Sequence, residues 1–370
     1  MGSSNCFGCL TFFRAGRGEV PTPKFQQPRT FYRDVSLPAA GFFDYESAGQ
    51  IPMPLKELRL KLECYDFEES TDKDVEACAA CIYDQMMYEA SQLCNSPLTS
   101  AMAQQCVLQH ENMSKMLAHF LASKVVWSTL PMKLVAQEES LKIQLRTQEL
   151  ALFHEMRAVL SKPAVLRALV ADLAKAFLCD PAAESFLQLA LYLKGFHAIT
   201  VYRVAHDLWI RGGPVNQNAA FMLQSRASEL FAVDIHPGAT IGNGIMIDHA
   251  TGVVIGSTAV LGSDIMMLHS VTLGATGKPT AGAKRHPTIG SRVVLGAGSI
   301  VLGDVTVGSD STVGARAIVS KDVEQGSTVV GINVIIKQGG GQSAPTKSIQ
   351  STPRESSDSP DLDYTEMWSI

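Results

Sequence analysis

Aliphatic residues recur at every sixth position in the second half of the chain, from residue 235 to about residue 323. A period of six matches neither the 3.6-residue period of an amphipathic helix nor the two-residue alternation of a half-buried strand. It is typical of a solenoid of short flat segments, in which each aliphatic side chain points into the core. The pattern predicts a left-handed parallel β-helix, an exception to the usual right-handed crossover. The positions that keep the repeat are Ile235, Ile241, Ile247, Val253, Ile255, Leu261, Met267, Leu273, Ile289, Leu295, Val301, Val307, Val313 and Val319.

The repeat is interrupted twice. A slip of two residues occurs at Val253 to Ile255, and a longer excursion covers residues 275–288, which are rich in Gly, Thr, Lys and Pro. Insertions into a solenoid form surface loops, and such loops carry many binding and catalytic residues. The two breaks are therefore the first places to look for function.

The chain before the repeat has apolar residues at helical spacing, from residue 55 to residue 231. Proline and glycine runs such as Gly212-Gly213-Pro214 are stop signals between the helices. We expect helices near residues 74–94, 100–126, 132–160, 164–177, 183–211 and 218–231. The predicted fold is α+β, with an all-α domain over residues 55–231 followed by the β-helix over residues 232–337.

Both ends of the chain are predicted to be disordered. Residues 1–54 form a basic leader rich in Gly, Pro, Ser and Phe, and residues 338–370 form a flexible Ser- and Pro-rich tail. The start resembles an N-myristoylation signal, but Cys6 occupies the place of the required Ser or Thr. An unprocessed leader and a cytoplasmic protein are favoured, with a plastid or mitochondrial transit peptide as the alternative. The last residues, through Trp368 to Ile370, suit a peptide that enters a partner's pocket.

Composition excludes several classes of function. Hydrophobic residues make up 46% of the chain and charged residues 18%, which is enough for a sizeable core. The net charge of −5 argues against nucleic-acid binding, and no apolar run is long enough to span a bilayer. All eight cysteines precede the β-helix. Cys78 and Cys81 form a C-x-x-C within a predicted helix, which favours helix packing over metal or redox work, and the lack of a paired framework favours a reducing compartment.

Histidines and carboxylates are concentrated on the early coils. They occur in the segments Asp234-Ile235-His236-Pro237, Asp248-His249-Ala250-Thr251-Gly252 and Arg285-His286-Pro287. A β-helix corner has no structural need for a charged pair, whereas a base, an acid that orients it and a cation suit a carboxylate substrate. His249 and His286 are therefore predicted to be functional. His236 and His269 stay open between function and solvation.

Several segments resemble serine O-acetyltransferases, which catalyse the first committed step of cysteine synthesis. The resemblance covers roughly residues 55–330, and a bare hexapeptide repeat would indicate only an acyltransferase-like protein. The segments that carry it are Lys194-Gly195-Phe196-His197-Ala198, Tyr202-Arg203, residues 233–237, 244–252 and 270–274, and Arg285-His286-Pro287.

The resemblance implies a role for individual residues. His249 would be the general base that takes the serine hydroxyl proton, Asp234 would orient His249, and His286 would polarise the hydroxyl. Arg285 would bind the serine carboxylate together with His286. The ammonium group would be bound by Asp180 and Asp248. No covalent acyl-enzyme and no metal are implied.

The resemblance also implies the co-substrate and the partners. Acetyl-CoA would lie between neighbouring β-helices of a homotrimer, and the helical domain would pair trimers into a hexamer. Members of the family end in an isoleucine that enters the active site of O-acetylserine sulfhydrylase, which assigns that role to Ile370. The small residues expected along the acetyl-CoA groove are Gly274, Ala275, Thr276, Ala297 and Ala315.

The sequence departs from the family pattern mainly where CoA is expected to bind. Cys179 replaces an arginine, Ala275 replaces a glycine, Ala283-Lys284 replaces Gly-Asp, and residues 331–334 replace Gly-Asn-Pro-Ala. These departures bear on CoA affinity and on feedback by cysteine more than on the chemistry.

Three other hypotheses stay open from the residues. One is an acetyltransferase for another hydroxyl, such as a sugar or homoserine. Another is a γ-carbonic-anhydrase-like hydratase, with a metal held by His249, His269 and His286. The last is a regulatory subunit without catalysis, which intact His249 and Asp234 oppose. The acids and Arg285 beside the histidines favour an amino-acid substrate over a metal.

Overall fold

The computed structural model describes residues 52–127, 139–277 and 284–337. The predicted tail with Ile370, nearly all of the predicted leader and residues 278–283 of the excursion lie outside the described residues. Among the described residues, no helix has the length and apolar character needed to cross a bilayer.

The described part of the chain begins with helices, as the apolar spacing predicted. The helix α2 begins at a capping box in which Thr71 and Asp74 each bond the other's backbone amide. The α6 helix has Pro163 at its first position. The helical elements are α1 (Leu55–Glu63), α2 (Asp72–Leu93), α3 (Ser100–Ala103), a π-helical turn (Gln104–Leu108), α4 (Met113–Trp127), α5 (Glu139–Leu160), α6 (Pro163–Cys179), α7 (Phe186–Tyr192), α8 (Lys194–Arg211) and α9 (Gly213–Phe231).

Two of the predicted helices are interrupted. Residues 100–126 contain the π-helical turn and a break before α4, and residues 183–211 divide into α7 and α8 at Leu193. Leu193 has an extended ψ of 98° and lies at the end of one helix and the start of the next. Apolar spacing continues through both breaks, so the sequence pattern does not reveal them.

The repeat region forms a solenoid of short parallel strands in three sheets. Sheet 1 has the order β1-β4-β7-β10-β13, sheet 2 the order β11-β8-β5-β2, and sheet 3 the order β15-β14-β12-β9-β6-β3. The strands are β1 (Val233–Ile235), β2 (Thr240–Ile241), β3 (Ile245–Ile247), β4 (Val253–Ile255), β5 (Val260–Leu261), β6 (Ile265–Met267), β7 (Thr272–Gly274), β8 (Thr288–Ile289), β9 (Val294–Leu295), β10 (Ile300–Leu302), β11 (Thr306–Val307), β12 (Thr312–Val313), β13 (Ile318–Val319), β14 (Ser327–Val330) and β15 (Val334–Lys337).

The aliphatic repeat positions stack inside the coil. In sheet 1, Ile235, Ile255, Leu273, Val301 and Val319 pair in one continuous column, and each is at least 96% buried. Burial of such side chains stabilises the fold by about 1.5–3 kcal/mol each. At the far end, β15 pairs antiparallel with β14 and ends the run of parallel strands.

The cysteines of the described residues are free thiols. Cys78 is fully buried in α2 and Cys81 is half-buried, and burial raises the pKa of both thiols. Both side chains therefore serve helix packing, in agreement with the expectation from sequence.

Candidate active site

The corner between β3 and β4, residues 248–252, carries a two-residue bulge. Backbone bonds from this corner to the next coil are made by Asp248 and Thr251, whereas the equivalent bonds one coil later are made by the adjacent residues 268 and 269. The extra residues are His249 and Ala250, with φ of 56° and 57°. The slip predicted at Val253 to Ile255 thus lies a few residues earlier. We call these five residues the His249 corner.

The bulge projects the His249 side chain away from the coil. That side chain is 71% exposed, and its Nε2 atom lies 3.5 Å from Oδ2 of Asp248. The imidazole of His269 lies at its side, with ring centroids 5.9 Å apart. The exposed ring leaves His249 accessible to a substrate.

The α8 helix supports the His249 corner from the helical domain. Lys194 at its start donates a hydrogen bond from Nζ to Oγ1 of Thr251. Gly195 packs so closely on β3 that a Cβ atom there would lie 1.9 Å from the carbonyl oxygen of Ile247. The contacts of Lys194 and Gly195 were not predicted from the sequence, although both residues belong to the segment of residues 194–198 that carries the family resemblance.

Asp234 lies next to the His249 corner but, among the described residues, forms no hydrogen bond or ion pair with His249. It lies in β1, and its Oδ1 atom accepts a hydrogen bond of 2.6 Å from Nε2 of Gln224 in α9. Within this protomer, the carboxylate within 4 Å of His249 is that of Asp248. The assignment of Asp234 as the orienting acid stays a prediction.

A second cluster lies where sheet 1 turns into sheet 2, and we call it the His286 corner. It comprises residues 256–258 of the second coil and residues 285–286 of the third. His286 is 94% buried, and its imidazole lies directly against Gly256. Its Nδ1 atom lies 2.9 Å from Oγ1 of Thr258. Burial and the positive charge of Arg285 lower the pKa of His286.

His236 lies beside the same corner, on the first coil. The backbone N–H of Gly238 donates to its Nδ1 atom at 2.9 Å, and its ring contacts Trp209 and Phe221 edge-on. Burial lowers the pKa of His236, the charge of Asp234 raises it, and the charge of Arg285 lowers it. His236, which the sequence left open, is therefore a partly buried imidazole beside the His286 corner.

The two remaining substrate-binding candidates differ in their surroundings. Arg285 is exposed, and its charge acts on both His236 and His286. Asp180 follows α6, where its Oδ1 atom accepts a hydrogen bond of 2.8 Å from the backbone of Ala182. The structure places Arg285 at the His286 corner and gives Asp180 only local hydrogen bonds.

The two corners lie at opposite ends of the same strands. The His249 corner precedes β4, and the His286 corner follows it, so the width of sheet 1 separates them. In the described part of the chain, His249 forms no hydrogen bond or ion pair with Arg285 or His286. A single protomer therefore does not bring the predicted base and the predicted carboxylate-binding residues together.

The small residues predicted to contact CoA fall into two sets. Gly298 donates to the carbonyl of His269 and Arg316 to that of Ala297, each at 2.9 Å, which places Ala297 and Ala315 in one column with His269. Gly274 ends β7 on the opposite side of sheet 1, and Ala275 and Thr276 continue into the excursion. In the column next to His249, the side chains therefore change from the large imidazole of His269 to the small methyl groups of Ala297 and Ala315.

The described residues contain no group of three or more His, Cys, Asp or Glu side chains arranged to hold a metal ion. Of the histidines named for the hydratase hypothesis, His249 lies in the His249 corner, His269 lies beside it on the next coil, and His286 lies at the other corner. Within one protomer they do not form a three-histidine site.

Two family models match the chain. The model described as "Serine acetyltransferase, N-terminal" matches residues 82–201, in the helical part. The model described as "Bacterial transferase hexapeptide (six repeats)" matches residues 286–321, within the solenoid.

Curated relatives and solved structures agree with these models. The serine acetyltransferase of Buchnera aphidicola (subspecies Acyrthosiphon pisum) is 40% identical over 252 residues, which cover 68% of this chain and 85% of that protein. That of Escherichia coli K12 is 36% identical with the same coverage. The structure of soybean serine acetyltransferase complexed with serine has a TM-score of 0.62 at 36% identity and covers 70% of this chain and 99% of its own. A serine acetyltransferase complexed with CoA has a TM-score of 0.60 at 33% identity, covering 70% and 100%. The chain belongs to the serine acetyltransferase family.

Proposed function

We propose that this chain, an acetyl-CoA-dependent serine O-acetyltransferase, uses His249 as its general base. The observation that carries the proposal is the two-residue bulge of the His249 corner, which leaves the imidazole 71% exposed and 3.5 Å from the Asp248 carboxylate. A regular corner of this solenoid would have no residue at that place.

The reaction is a direct transfer. His249 takes the proton of the serine hydroxyl while the hydroxyl oxygen forms a bond to the carbonyl carbon of the thioester. The carbon–sulfur bond then breaks, and the departing thiolate takes the proton from His249. O-acetylserine and CoA with a free thiol leave, and His249 is neutral again. The serine hydroxyl is the nucleophile, so no protein side chain is acylated.

Charged residues bind the two ends of serine. The exposed guanidinium of Arg285 suits the carboxylate, and the imidazole of His286 donates to the reacting oxygen. Asp248 and Asp180 bind the ammonium group. Asp234, on the strand beside the His249 corner, is the acid that orients His249.

Assembly of a complete site requires a second copy of the chain. The His249 corner and the His286 corner lie at opposite ends of sheet 1, so one serine molecule reaches both only where the corners of two copies meet. This separation supports a homotrimer with one site at each interface. The helical domain pairs two such trimers.

Acetyl-CoA lies along the interface groove. Ala297 and Ala315 stand in the column next to His249, where methyl side chains leave room for the pantetheine arm. Gly274, Ala275 and Thr276 line the facing edge, from the neighbouring copy.

The partner and the compartment rest on the sequence. Ile370, outside the described residues, binds the active site of O-acetylserine sulfhydrylase. The cytoplasm is the proposed compartment, in keeping with the free cysteines of the described residues. A relative from Arabidopsis thaliana, 36% identical, carries the name "Serine acetyltransferase 3, mitochondrial". A fluorescent fusion of the full chain that entered mitochondria or plastids would contradict a cytoplasmic location.

The activity is tested by release of free thiol from acetyl-CoA when L-serine is added to purified full-length protein in the presence of a chelator. L-homoserine and a sugar acceptor serve as controls. Serine-dependent release is expected, with little release from the controls. Equal release with homoserine would favour the alternative acceptor, and no release would favour a regulatory subunit without catalysis.

A further inference from the structure

We propose that Thr258 and Gly256 are positioning residues that hold His286 as the Nε2–H tautomer, so that His286 acts in the reaction only as a hydrogen-bond donor. The inference rests on the role proposed above for His286 at the serine hydroxyl. It adds how the ring is oriented and which proton it carries.

The Nδ1 atom of His286 faces two donors from one residue. The backbone N–H of Thr258 points at it over 3.1 Å, and the Thr258 hydroxyl lies 2.9 Å away. A backbone amide only donates, so Nδ1 must present its lone pair. The proton of the neutral ring is therefore on Nε2.

The other bonds of Thr258 settle the direction of its hydroxyl. Its Oγ1 atom accepts from the backbone N–H of Arg285 at 3.0 Å and from that of His286 at 3.1 Å. These two bonds use both lone pairs, which leaves the hydroxyl proton for Nδ1 of His286. Thr258 thus binds the backbone and the ring of the same histidine and joins the second coil to the end of the excursion.

Gly256 provides the space in which the ring lies. A Cβ atom at position 256 would be 2.0 Å from Cδ2 and 2.1 Å from Nε2 of His286. The backbone of Gly256 is not in the left-handed region, so an alanine there is allowed by its own backbone. Any side chain at this position would displace the imidazole from its place.

This arrangement divides the work between two histidines. The accepting nitrogen of His286 is engaged by the protein, so the ring offers a substrate nothing but its Nε2–H. The serine oxygen can accept that bond while its own proton goes to His249. As the base, His249 needs a free lone pair. As the donor, His286 needs an N–H at a fixed position.

The first measurement is the tautomer itself. Imidazole ¹⁵N spectra of histidine-labelled full-length protein, with the His286 signals assigned by loss in His286→Ala, are expected to show the Nε2–H form. An Nδ1–H form in the wild-type protein would overturn the proposal. This readout does not depend on turnover.

The second measurement compares matched threonine variants. Thr258→Val is expected to lower kcat by about tenfold to a hundredfold with a smaller change in KM, less than the roughly 10²–10³-fold effect of removing such a donor outright. Thr258→Ser, which keeps the hydroxyl, is expected to retain most of the activity. Thr240→Val is the control, because the equivalent position one coil later is Val260. Equal activity of Thr258→Val and Thr240→Val would overturn the proposal.

The third comparison guards against a folding effect. Thr258→Val leaves two amides without an acceptor, so each variant is also checked by thermal unfolding and by its oligomer size. Gly256→Ala leaves Thr258 intact and is expected to lower kcat by a similar factor while altering the His286 signals. Unchanged kcat in Gly256→Ala would contradict the claim that Gly256 provides the space for the His286 ring. If His286→Ala left kcat unchanged, the role proposed for His286 in the reaction would be wrong. The tautomer spectrum separates that result from a failure of positioning, because the spectrum does not depend on turnover.

Discussion

Arg203 and Asp172 form a buried, two-pronged ion pair that joins the helical domain to the first coil. Nε of Arg203 lies 2.7 Å from one carboxylate oxygen of Asp172, and Nη2 lies 2.8 Å from the other. The same guanidinium donates to the carbonyl of Gly242, and the carboxylate accepts from the backbone N–H of Ile245. The pair thus connects α6 and α8 with the corner and strand that follow β2.

Removing one partner of this pair is expected to be costly. Asp172→Asn leaves the Arg203 charge buried without its counter-charge, which should lower the free energy of unfolding by about 3–5 kcal/mol. The change in the free energy of unfolding is measured by urea unfolding of the wild-type protein and of the variant. The control is Asp310→Asn, because the pair between Arg292 and Asp310 is 42% and 38% exposed and should be worth about 0–1 kcal/mol. Equal losses in both variants would contradict the argument from burial.

Loss of the proposed base should abolish turnover without loss of the co-substrate. His249→Ala removes the acceptor of the hydroxyl proton, so kcat is expected to fall by about 10²–10⁴-fold. Calorimetric titration with CoA is expected to give an unchanged Kd. His154→Ala, at an exposed position in α5, serves as the control. Weakened CoA binding in His249→Ala would assign that residue to binding and not to proton transfer.

The site between copies makes a prediction for mixed oligomers. His249→Ala and Arg285→Ala should each be inactive, yet co-expressed chains should regain activity, because some interfaces combine an intact His249 with an intact Arg285. In a purified trimer that contains both variants, one of the three interfaces is complete, so about a third of wild-type kcat is expected. Differently tagged chains allow mixed trimers to be purified and assayed. No recovery would place both residues of each site on one chain.

His197 should make the helical domain sensitive to acid. It is fully buried in α8, its Nε2 atom lies 2.9 Å from the carbonyl oxygen of Ala190, and burial lowers its pKa to about 4. The folded pKa is below the unfolded value of about 6.5, so the stabilisation is present above pH 6.5 and is lost as pH falls toward 4. The whole effect is on the order of 3 kcal/mol.

Urea unfolding at a series of pH values between 7.5 and 4.5 tests this dependence. His197→Gln, which cannot titrate, should show a shallower loss of stability than the wild-type protein. His154→Gln, at an exposed position, should follow the wild-type curve. Identical slopes for all three proteins would rule out His197 as the source.

The end of the chain should affect association and leave catalysis intact. Deletion of Ile370 is expected to leave acetyl transfer unchanged, since the residue has no role in the proposed chemistry. Binding to O-acetylserine sulfhydrylase, measured by surface plasmon resonance, should be lost because the aliphatic anchor is gone and the terminal carboxylate moves to Ser369. Ser369→Ala, which keeps the terminal isoleucine, is the control. Unchanged binding after the deletion would remove the tail from the proposal.

The fold was accessible from the sequence because its signal is periodic. Each sixth residue faces the core, and the register from Ile235 to Val319 is the one observed. The helices were accessible for the same reason, apart from α1, the break before α4 and the break at Leu193, where one extended residue separates two helices. A single residue of that kind leaves no trace in a pattern averaged over several turns.

The site was accessible only in part. His249 and His286 were predicted from their residue types and surroundings, and the small residues along the acetyl-CoA groove from the family resemblance; their roles stay predictions. That Thr258 would hold His286 was not accessible, because the excursion between them departs from the six-residue repeat and the sequence does not give the path by which the chain returns. Leu273 pairs with Val301 across the same excursion, and only the pairing shows which residues become neighbours.

The sequence by itself determined the two-part architecture, the interior of the solenoid, the family and the kinds of side chain available for chemistry, because these follow from local periodicity and local motifs. The tertiary structure decided which side chains meet. It placed the two extra residues at His249 and Ala250, paired Asp248 with His249 and Gln224 with Asp234, and separated the two corners by the width of a sheet. Contacts between coils depend on how each coil closes around its insertions, and that closure is a property of the packed chain.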